Sequence, residues 1–371
     1  MNHVSIASVR MDPFAEHIRD MWPMRGMIEA LLNRVSPARR SFVSAAQAQV
    51  DAENSTSNRT LFAPPGHFHS PIPSITEIRK DEQRIFEFKS EIIPGVDLNK
   101  EYQLRLLDQL EVFYSELPYT QDREIYSELM ALREWYERAK DETEKKAIQE
   151  KGERLLGKRP RSRRRYFFEN PNYGYADGVF LYCMLRHLRP KRIIEVGSGY
   201  SSCIMLDTNE LHSDGSVECT FIDPHPQMLR ALLRKDDHEH IRVIEKRIQD
   251  VNVDEFRTLG RRDILFIDSS HVSKVGSDVN YVLFEVLPNL SADVFIHFHD
   301  IFFPFEYPKE WVYAGRAWNE SYLLRAFLQY NAHFEIVLFT TYLTGFHGAR
   351  LERTMPLCMI DKGSSIWLRR R

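Results

Sequence analysis

The sequence predicts an α/β protein with a mainly parallel sheet over residues 166–371. Short apolar segments of strand character alternate there with segments of helical spacing, as parallel sheets require. Seven segments are predicted to be strands, and they contain RIIEVG, ECTFID, IRVIEK, DILFID, DVFIHFHD, FEIVLFTTY and SSIWLRR. A glycine-containing turn follows the first strand, and aspartates end three others. Because ligands bind beyond the carboxyl ends of parallel strands, these residues predict a site at one edge of the sheet.

The part of the chain before this sheet is predicted to be an extension. Residues 1–60 are polar and irregular, and we expect a flexible or partly helical segment. Residues 61–165 begin with a proline-rich extended stretch and continue as a helical extension or lid. Within them, residues 120–160 are long, charged and helix-prone, which indicates an insertion. The basic run at 158–165 is interpreted as a solvated loop, with an anion-binding or nucleic-acid-binding role as the alternative.

Composition excludes several classes of protein. A net charge of -3 over 371 residues argues against a protein whose whole surface binds nucleic acid. The four cysteines contain no CxxC pair, so neither a zinc knuckle nor a disulfide framework is predicted, and a reducing compartment fits. We find neither a signal peptide nor an apolar run of about 18 residues, so we expect a cytoplasmic protein without a membrane span.

The turn in RIIEVGSGYSS has the composition of a nucleotide-binding turn. Gly197 and Gly199 follow a strand and precede a helix, where glycine permits close approach of a ligand to the backbone. A dinucleotide fingerprint needs a third glycine, and Ser202 stands there, which weakens an NAD interpretation. Asp223 ends the next strand, about 24 residues further on, where a carboxylate suits ribose hydroxyls. These residues predict a Rossmann-like site without choosing the cofactor.

The E-x-G-x-G pattern that begins at Glu195 resembles the first motif of class I S-adenosylmethionine-dependent methyltransferases. The resemblance implies their Rossmann-like fold, a mostly parallel seven-stranded sheet with helices on both faces, for residues 166–371. It also implies that Glu195 helps to hold the methionine end of the cofactor, and that Asp223 binds the ribose. The other residues implied at the cofactor are Gly197, Ser198, Gly199, Ser201, Gln249, Asp268 and Tyr175.

The fourth and fifth strands end in residues that can bind a cation or move a proton. Asp268 ends DILFID, His271 follows three residues later, and His299 and Asp300 end VFIHFHD. His297 lies one pleat deeper than His299, and we interpret it as a core histidine. A base with a pKa near neutral, such as His271, can take the proton from an acceptor hydroxyl.

This pairing resembles metal-dependent O-methyltransferases, most closely the macrocin-type enzymes that act on sugars of natural products. The resemblance implies Asp268 and His271 as catalytic residues, with His271 as general base. It also implies a divalent cation on Asp268, His299 and Asp300. His299 stands where the family often has glutamate. Since imidazole favours zinc, manganese or iron over magnesium, the identity and presence of the metal stay open.

Longer segments between residues 165 and 345 resemble the bacterial methyltransferase family 24, among them YFFENPNYGYADGVFLY and RDILFIDSSH, where Arg262 stands in place of the family's usual glycine. The resemblance implies a hydroxylated sugar or natural-product-like small molecule as acceptor. The aromatic loop after the fifth strand would lie over that acceptor, and its candidate pocket walls are Trp311, Trp318 and Asn319.

We therefore expect an enzyme that transfers a methyl group from S-adenosylmethionine to a hydroxyl group. Two alternatives stay open. One is a metal-dependent oxygenase on the same scaffold, which would use two histidines and one carboxylate. The other is a noncatalytic protein that keeps the nucleotide pocket and binds a partner. Neither a membrane nor a nucleic acid is expected as a partner, and a homo-oligomer stays open.

Overall fold

The computed structural model describes residues 62–87, 90–139, 141–156 and 164–371. The predicted flexible segment at 1–60 and most of the basic run lie outside the described residues. No helix in the described ranges is both long enough and apolar enough to cross a membrane.

The chain divides into two compact units. Among the described residues, the first comprises 62–64, 127–139 and 141–156, and the second comprises 65–87, 90–126 and 164–371. Residues 65–126, which the sequence analysis grouped with the extension, are thus in the same unit as the sheet. The predicted domain boundaries stay predictions.

Within the first unit, two helical segments pack against each other. They belong to α4 (Arg123–Arg138), from Ser127 onward, and to α5 (Glu142–Leu156). The Trp135 Nε1 atom donates a hydrogen bond to Glu144 at 2.9 Å.

The second unit is built on a seven-stranded sheet of order β3-β2-β1-β4-β5-β7-β6. Its strands are β1 (Arg192–Val196), β2 (Glu218–Ile222), β3 (Ile241–Ile244), β4 (Ile264–Ile267), β5 (Phe295–Phe298), β6 (Phe334–Phe339) and β7 (Ile366–Arg370). The pairs from β3 to β5 are parallel, and β7 runs antiparallel to both β5 and β6. The predicted class I methyltransferase fold is confirmed, with all seven predicted strands present.

Helices flank this sheet. Before it lie α1 (Ile75–Lys80), α2 (Glu82–Phe86), α3 (Lys100–Tyr114) and α6 (Tyr175–Leu188). Between its strands lie α7 (Tyr200–His212), α8 (Gln227–Leu232), α9 (Asp278–Tyr281), α10 (Lys309–Tyr313) and α11 (Glu320–Leu328). Between β6 and β7 lie α12 (Thr340–Phe346), α13 (Gly348–Thr354) and α14 (Cys358–Asp361). A π-helical segment, Val282–Val286, continues α9, and short 3-10 segments surround β3 and precede β5.

The core forms because the central strands are apolar on both faces. All four residues of β4 and of β5 are buried, as expected for strands covered by helices on both sides. The helix α3 extends this core over β6. There the Gln103 side chain accepts a hydrogen bond from the Phe339 backbone N–H at 2.8 Å and donates one to Leu98 O at 2.6 Å.

A side-chain turn precedes α3. The capping residue of this helix is Asn99, which has a left-handed φ of 53°. The Asp97 carboxylate accepts a hydrogen bond from the Asn99 N–H at 2.8 Å, which forms the turn before the helix.

Candidate functional site

The loop after β1 is the tightest part of the site. Gly197 has a φ of +79°, and a Cβ atom at this position would overlap the backbone carbonyl oxygen of Asp268 at the end of β4. The backbone N–H of Asp268 also donates to Val196 O at 2.9 Å. Only glycine permits this approach, so the predicted cofactor loop and Asp268 are neighbours.

The acidic residue after β2 binds this loop directly. An oxygen of Asp223 accepts hydrogen bonds from the Ser198 backbone N–H at 3.0 Å and from the Ser198 hydroxyl at 2.7 Å. Its other oxygen accepts from the His225 N–H at 2.7 Å. A carboxylate has about four acceptor positions, so Asp223 retains capacity for a ribose hydroxyl.

Glu195 lies beneath the loop and is fully buried. Its two oxygens accept hydrogen bonds from the hydroxyls of Ser201 and Ser202 in the first turn of α7. Burial raises the pKa of Glu195 to about 8, although the two hydroxyls oppose the shift. Glu195 and Ser201 therefore stabilise the turn from below, and neither presents a free polar group to the cleft.

Two further cofactor candidates have structural partners. The Gln249 amide donates to Gly276 O at 2.8 Å and so joins the segment after β3 to the loop after β4. Tyr175 is fully buried; its hydroxyl donates to Glu169 at 2.8 Å, and its ring stacks on Phe168 at a centroid distance of 4.8 Å. The ring is part of the core.

Asp268, His271, His299 and Asp300, which we call the strand-tip cluster, lie together at the ends of β4 and β5. The Nε2 atom of His271 is 3.3 Å from Asp268 Oδ1 and 3.7 Å from Asp300 Oδ2. The Nε2 atom of His299 is 3.5 Å from Asp300 Oδ1. The structure therefore brings together the four residues that sequence reasoning assigned to catalysis and metal binding.

Two members of the strand-tip cluster have a strained backbone. His271 has a φ of 58° and Asp300 a φ of 55°, in the left-handed region that non-glycine residues rarely adopt. Such strain persists only where the surroundings impose it, and it concentrates at functional sites. The observation supports a functional assignment for this edge of the sheet.

The charges of the strand-tip cluster shift one another's pKa values. Burial disfavours the imidazolium of His271, but Asp268, Glu320 and Asp300 outweigh burial and raise its pKa well above 6.5. The pKa of His299 is raised as well, because Asp300, Asp268 and Asp177 outweigh its burial. Burial opposes ionisation of Asp268, yet the two imidazoles lower its pKa.

His297 lies in the core, as predicted. Its ring stacks on Phe266 at a centroid distance of 3.8 Å, and its Nε2 atom is 3.3 Å from the Tyr173 hydroxyl. Burial and the neighbouring His299 lower its pKa well below 6.5, so it stays neutral and belongs to the packing of β5.

The aromatic loop after β5 covers His271. The Trp318 ring lies 4.4 Å from the His271 ring, and Trp311 meets Trp318 edge-on at 5.4 Å. The Arg316 guanidinium lies over both indoles, at 4.0 and 5.0 Å. Asn319 has another role: its side chain accepts from the Ser273 N–H at 2.6 Å and donates to Ser273 O at 3.2 Å.

The first part of this loop lines a cavity of about 390 Å³. The cavity lining includes Glu82, Phe302, Glu306 and Tyr307 and contains no member of the strand-tip cluster. Tyr307 belongs both to this lining and to the aromatic group near His271, since its ring is 6.0 Å from Trp318.

Two carboxylates beside the strand-tip cluster are not among the site residues predicted from the sequence. Glu320 is 1% exposed, and its Oε2 atom is 2.8 Å from His271 Nδ1. Asp177 is also buried and accepts hydrogen bonds from Ser364, whose hydroxyl donates to Asp300 at 3.0 Å. Glu320 begins α11 and Asp177 lies in the first turn of α6, so both have the sequence pattern of ordinary first-turn acids.

The donor set of the strand-tip cluster suits a cation in its chemistry. Two carboxylates face one ring nitrogen of His271, and the buried Nδ1 atom of His299 has no hydrogen-bond partner among the described residues. In the described ranges, however, no three histidine, cysteine or acidic side chains are arranged as metal ligands. The raised pKa values of His271 and His299 and the lowered pKa of Asp268 show that these groups favour one another's charged forms.

Residues 194–301, which include most of β1, all of β2 to β5 and the strand-tip cluster, match a family model described as a methyltransferase domain, numbered 24. This part of the chain is a methyltransferase domain. A protein of Archaeoglobus fulgidus without a characterised function is 29% identical to this chain over 199 residues, which are 53% of this chain and 73% of that protein.

Solved structures similar to this chain include that of the Podospora anserina methyltransferase PaMTH1 bound to S-adenosylhomocysteine (SAH). It is 17% identical, the match covers 76% of this chain and 100% of that chain, and the TM-score is 0.36. Another is the cmcI-D160 structure with Mg and S-adenosylmethionine, with 17% identity, coverage of 58% and 83%, and a TM-score of 0.32. Likeness at this level transfers no residue roles to this chain.

Proposed function

We propose that the protein methylates a hydroxyl group of a sugar or a natural-product-like small molecule, with His271 as general base. The observation that carries this proposal is the position of His271 Nε2, within 4 Å of both Asp268 and Asp300. The backbone of Asp268 in turn contacts the glycine loop at Gly197. A single ring nitrogen with basic character therefore lies at the edge where ligands bind in this class of fold.

The proposed chemistry is an in-line displacement. The acceptor oxygen forms a bond to the methyl carbon while the carbon–sulfur bond of the sulfonium breaks, which leaves neutral SAH. The hydroxyl proton passes to Nε2 of His271. The protein mainly supplies proximity and orientation, and proton removal by a positioned base contributes about 10²–10⁴-fold.

The carboxylates set the condition under which His271 can act. Because they raise its pKa, the ring must lose its own proton before it can accept one from the hydroxyl. The positive sulfonium of the cofactor, bound next to Asp268, would favour this loss by competing for the same carboxylates. We therefore expect turnover to increase with pH on the alkaline side of 6.5.

A divalent cation is the second part of the proposal. Asp268, Asp300 and His299 would hold it, with the His299 ring in its neutral form. It would supply a lower pKa for the acceptor hydroxyl.

The test measures SAH formation over a panel of hydroxylated sugars and phenols. His271→Gln should lower turnover about 100-fold or more while the Kd for SAH stays within twofold of wild type. The control is His240→Gln, an exposed histidine outside the site, and it should behave as wild type. Equal turnover in both variants would contradict the base assignment.

Metal content and turnover decide between the remaining alternatives. Loss of turnover in EDTA and recovery with a divalent cation would support the metal site. Stoichiometric iron without SAH formation would favour the oxygenase. Tight SAH binding without turnover on any acceptor would favour the noncatalytic protein.

A further inference from the structure

Glu320 occupies an unusual place for the first residue of a surface helix. Its side chain is 1% exposed, and one carboxylate oxygen, Oε2, lies 2.8 Å from Nδ1 of His271. The other oxygen, Oε1, is buried without a hydrogen-bond partner among the described residues. A buried carboxylate is costly unless it is paired, so the contact with His271 is its main compensation.

An ordinary first-turn glutamate would not be placed this way. Acids at helix N-termini act on the helix dipole from a solvated position, where their effect is small. The Glu320 carboxylate points instead to a residue 49 positions away, in the loop after β4. Its burial raises its pKa, and the hydrogen bond with His271 opposes that shift. The geometry therefore indicates a role toward the imidazole.

The residues next to Glu320 hold the same loop. The backbone N–H groups of Asn319 and Glu320 both donate to His271 O, each at 3.1 Å. The Asn319 side chain makes two hydrogen bonds with the backbone of Ser273, and the Trp318 ring lies against the imidazole. These contacts hold His271 in its left-handed conformation and leave the ring little freedom to rotate.

We propose that Glu320 is the positioning residue of His271: it keeps a proton on Nδ1, so that Nε2 is directed toward Asp268, Asp300 and the acceptor hydroxyl. The catalytic consequence rests on the proposed function, whereas the orientation of the ring does not. When Nε2 takes the hydroxyl proton, the Nδ1 proton stays in its hydrogen bond, and the carboxylate stabilises the imidazolium that forms.

The tautomer of His271 can be measured without any acceptor. The full-length protein, labelled with ¹⁵N-histidine and kept in EDTA, gives long-range ¹H–¹⁵N correlations that distinguish protonated from unprotonated ring nitrogens. The His271 signals are identified by their loss in His271→Gln. At a pH alkaline enough for the ring to be neutral, wild type should show Nδ1 protonated and Nε2 unprotonated.

Glu320→Gln keeps the shape of the side chain and removes its charge. Because the amide can either accept from or donate to Nδ1, the ratio of the two tautomers should fall about tenfold or more. Glu320→Asp keeps the charge and should retain part of the preference. The matched control is Ser321→Ala, the next buried residue of α11, which does not contact His271 and should leave the ratio unchanged.

A wild-type protein with mainly the Nε2-protonated tautomer would overturn the proposal, as would an unchanged ratio in Glu320→Gln. The wild-type spectrum alone is decisive if the variant fails to fold. Where an acceptor is known, Glu320→Gln should lower kcat about 100-fold with little change in KM. The expected tautomer together with full turnover of His271→Gln would refute the base assignment and leave the positioning role intact.

Discussion

Gly197→Ala tests the closest approach in the site, where the loop after β1 meets the end of β4. The added Cβ would overlap the carbonyl oxygen of Asp268 and lie 2.9 Å from its carbonyl carbon. Neither group can rotate away, because both belong to the backbone. The substitution also places a side chain at a φ of +79°.

The magnitude follows from these two effects. A non-glycine residue in the left-handed region costs about 1–2 kcal/mol. Overpacking in a close-packed interior costs a further ~1–3 kcal/mol. The total cost is therefore about 2–5 kcal/mol. Part of it lowers the free energy of unfolding, and part of it weakens cofactor binding, because the loop can move to relieve the overlap. If about 2 kcal/mol is lost from binding, the Kd for SAH rises about 30-fold, since about 1.4 kcal/mol corresponds to a factor of ten.

The assay combines thermal unfolding with calorimetric titration of SAH. Two controls separate the causes. Gly215→Ala imposes a similar φ of +73° with no atom within 4 Å, so it should show the strain without the overlap. Gly199→Ala would bring Cβ to 2.7 Å of the Met228 methyl group, a flexible side chain that can move, so its effect on stability should be smaller.

One result would refute the reasoning: Gly197→Ala unfolds at the same temperature as Gly215→Ala, and its Kd for SAH equals that of wild type. The loop would then not approach Asp268 as the structure places it. The assignment of this turn to the cofactor would lose its main geometric support.

Three further outcomes are expected. Asp223→Asn should weaken SAH binding about tenfold in calorimetric titration, because a charged acceptor for Ser198 and the ribose is lost; Asp250→Asn, at an exposed carboxylate, should not. The free energy of unfolding of the wild type should fall by at most about 1.4 kcal/mol per pH unit between about pH 4.5 and about pH 8, because Glu195 stays protonated only in the folded chain over this range. Urea unfolding of Glu195→Gln should not show this fall. Tyr175→Phe should cost about 1 kcal/mol of stability and leave the Kd for SAH unchanged, whereas a weaker Kd would restore the cofactor role predicted from sequence.

Much of the fold could be predicted because its determinants are local. Apolar runs such as the one that forms β4 contain their own strand signal, and glycine after β1 marks a turn by its conformational freedom. Arg262 is informative here: it stands where the resembled family usually has glycine, and its φ is 68°. The family pattern thus reflects a backbone requirement that this chain meets with a strained residue.

Sequence reasoning predicted the site residues that follow the ends of strands, and it did not predict those that lie elsewhere in the chain. Asp268 and Asp300 follow neighbouring strands, so their proximity could be expected from parallel topology. Glu320 and Asp177 could not be found in this way. Each looks like a helix-starting acid in the sequence, and only the tertiary packing directs Glu320 to His271 and Asp177 to Ser364. Likewise, nothing in the sequence indicates that Glu195 is covered by two serine hydroxyls.

The groups that orient the strand-tip cluster lie outside the segment that matches the family model. The match ends at residue 301, yet His271 is held by Glu320, and Asp300 is held by the Ser364 hydroxyl while the Ile301 N–H donates to Ser364 O at 2.7 Å. Both supported residues have a left-handed φ, which would relax without these partners. The matched segment therefore supplies the proposed reacting groups, whereas the chain beyond it holds His271 and Asp300 in place. Because the aromatic cover over His271 also comes from that later part, selectivity for the acceptor should depend on residues that the family model does not include.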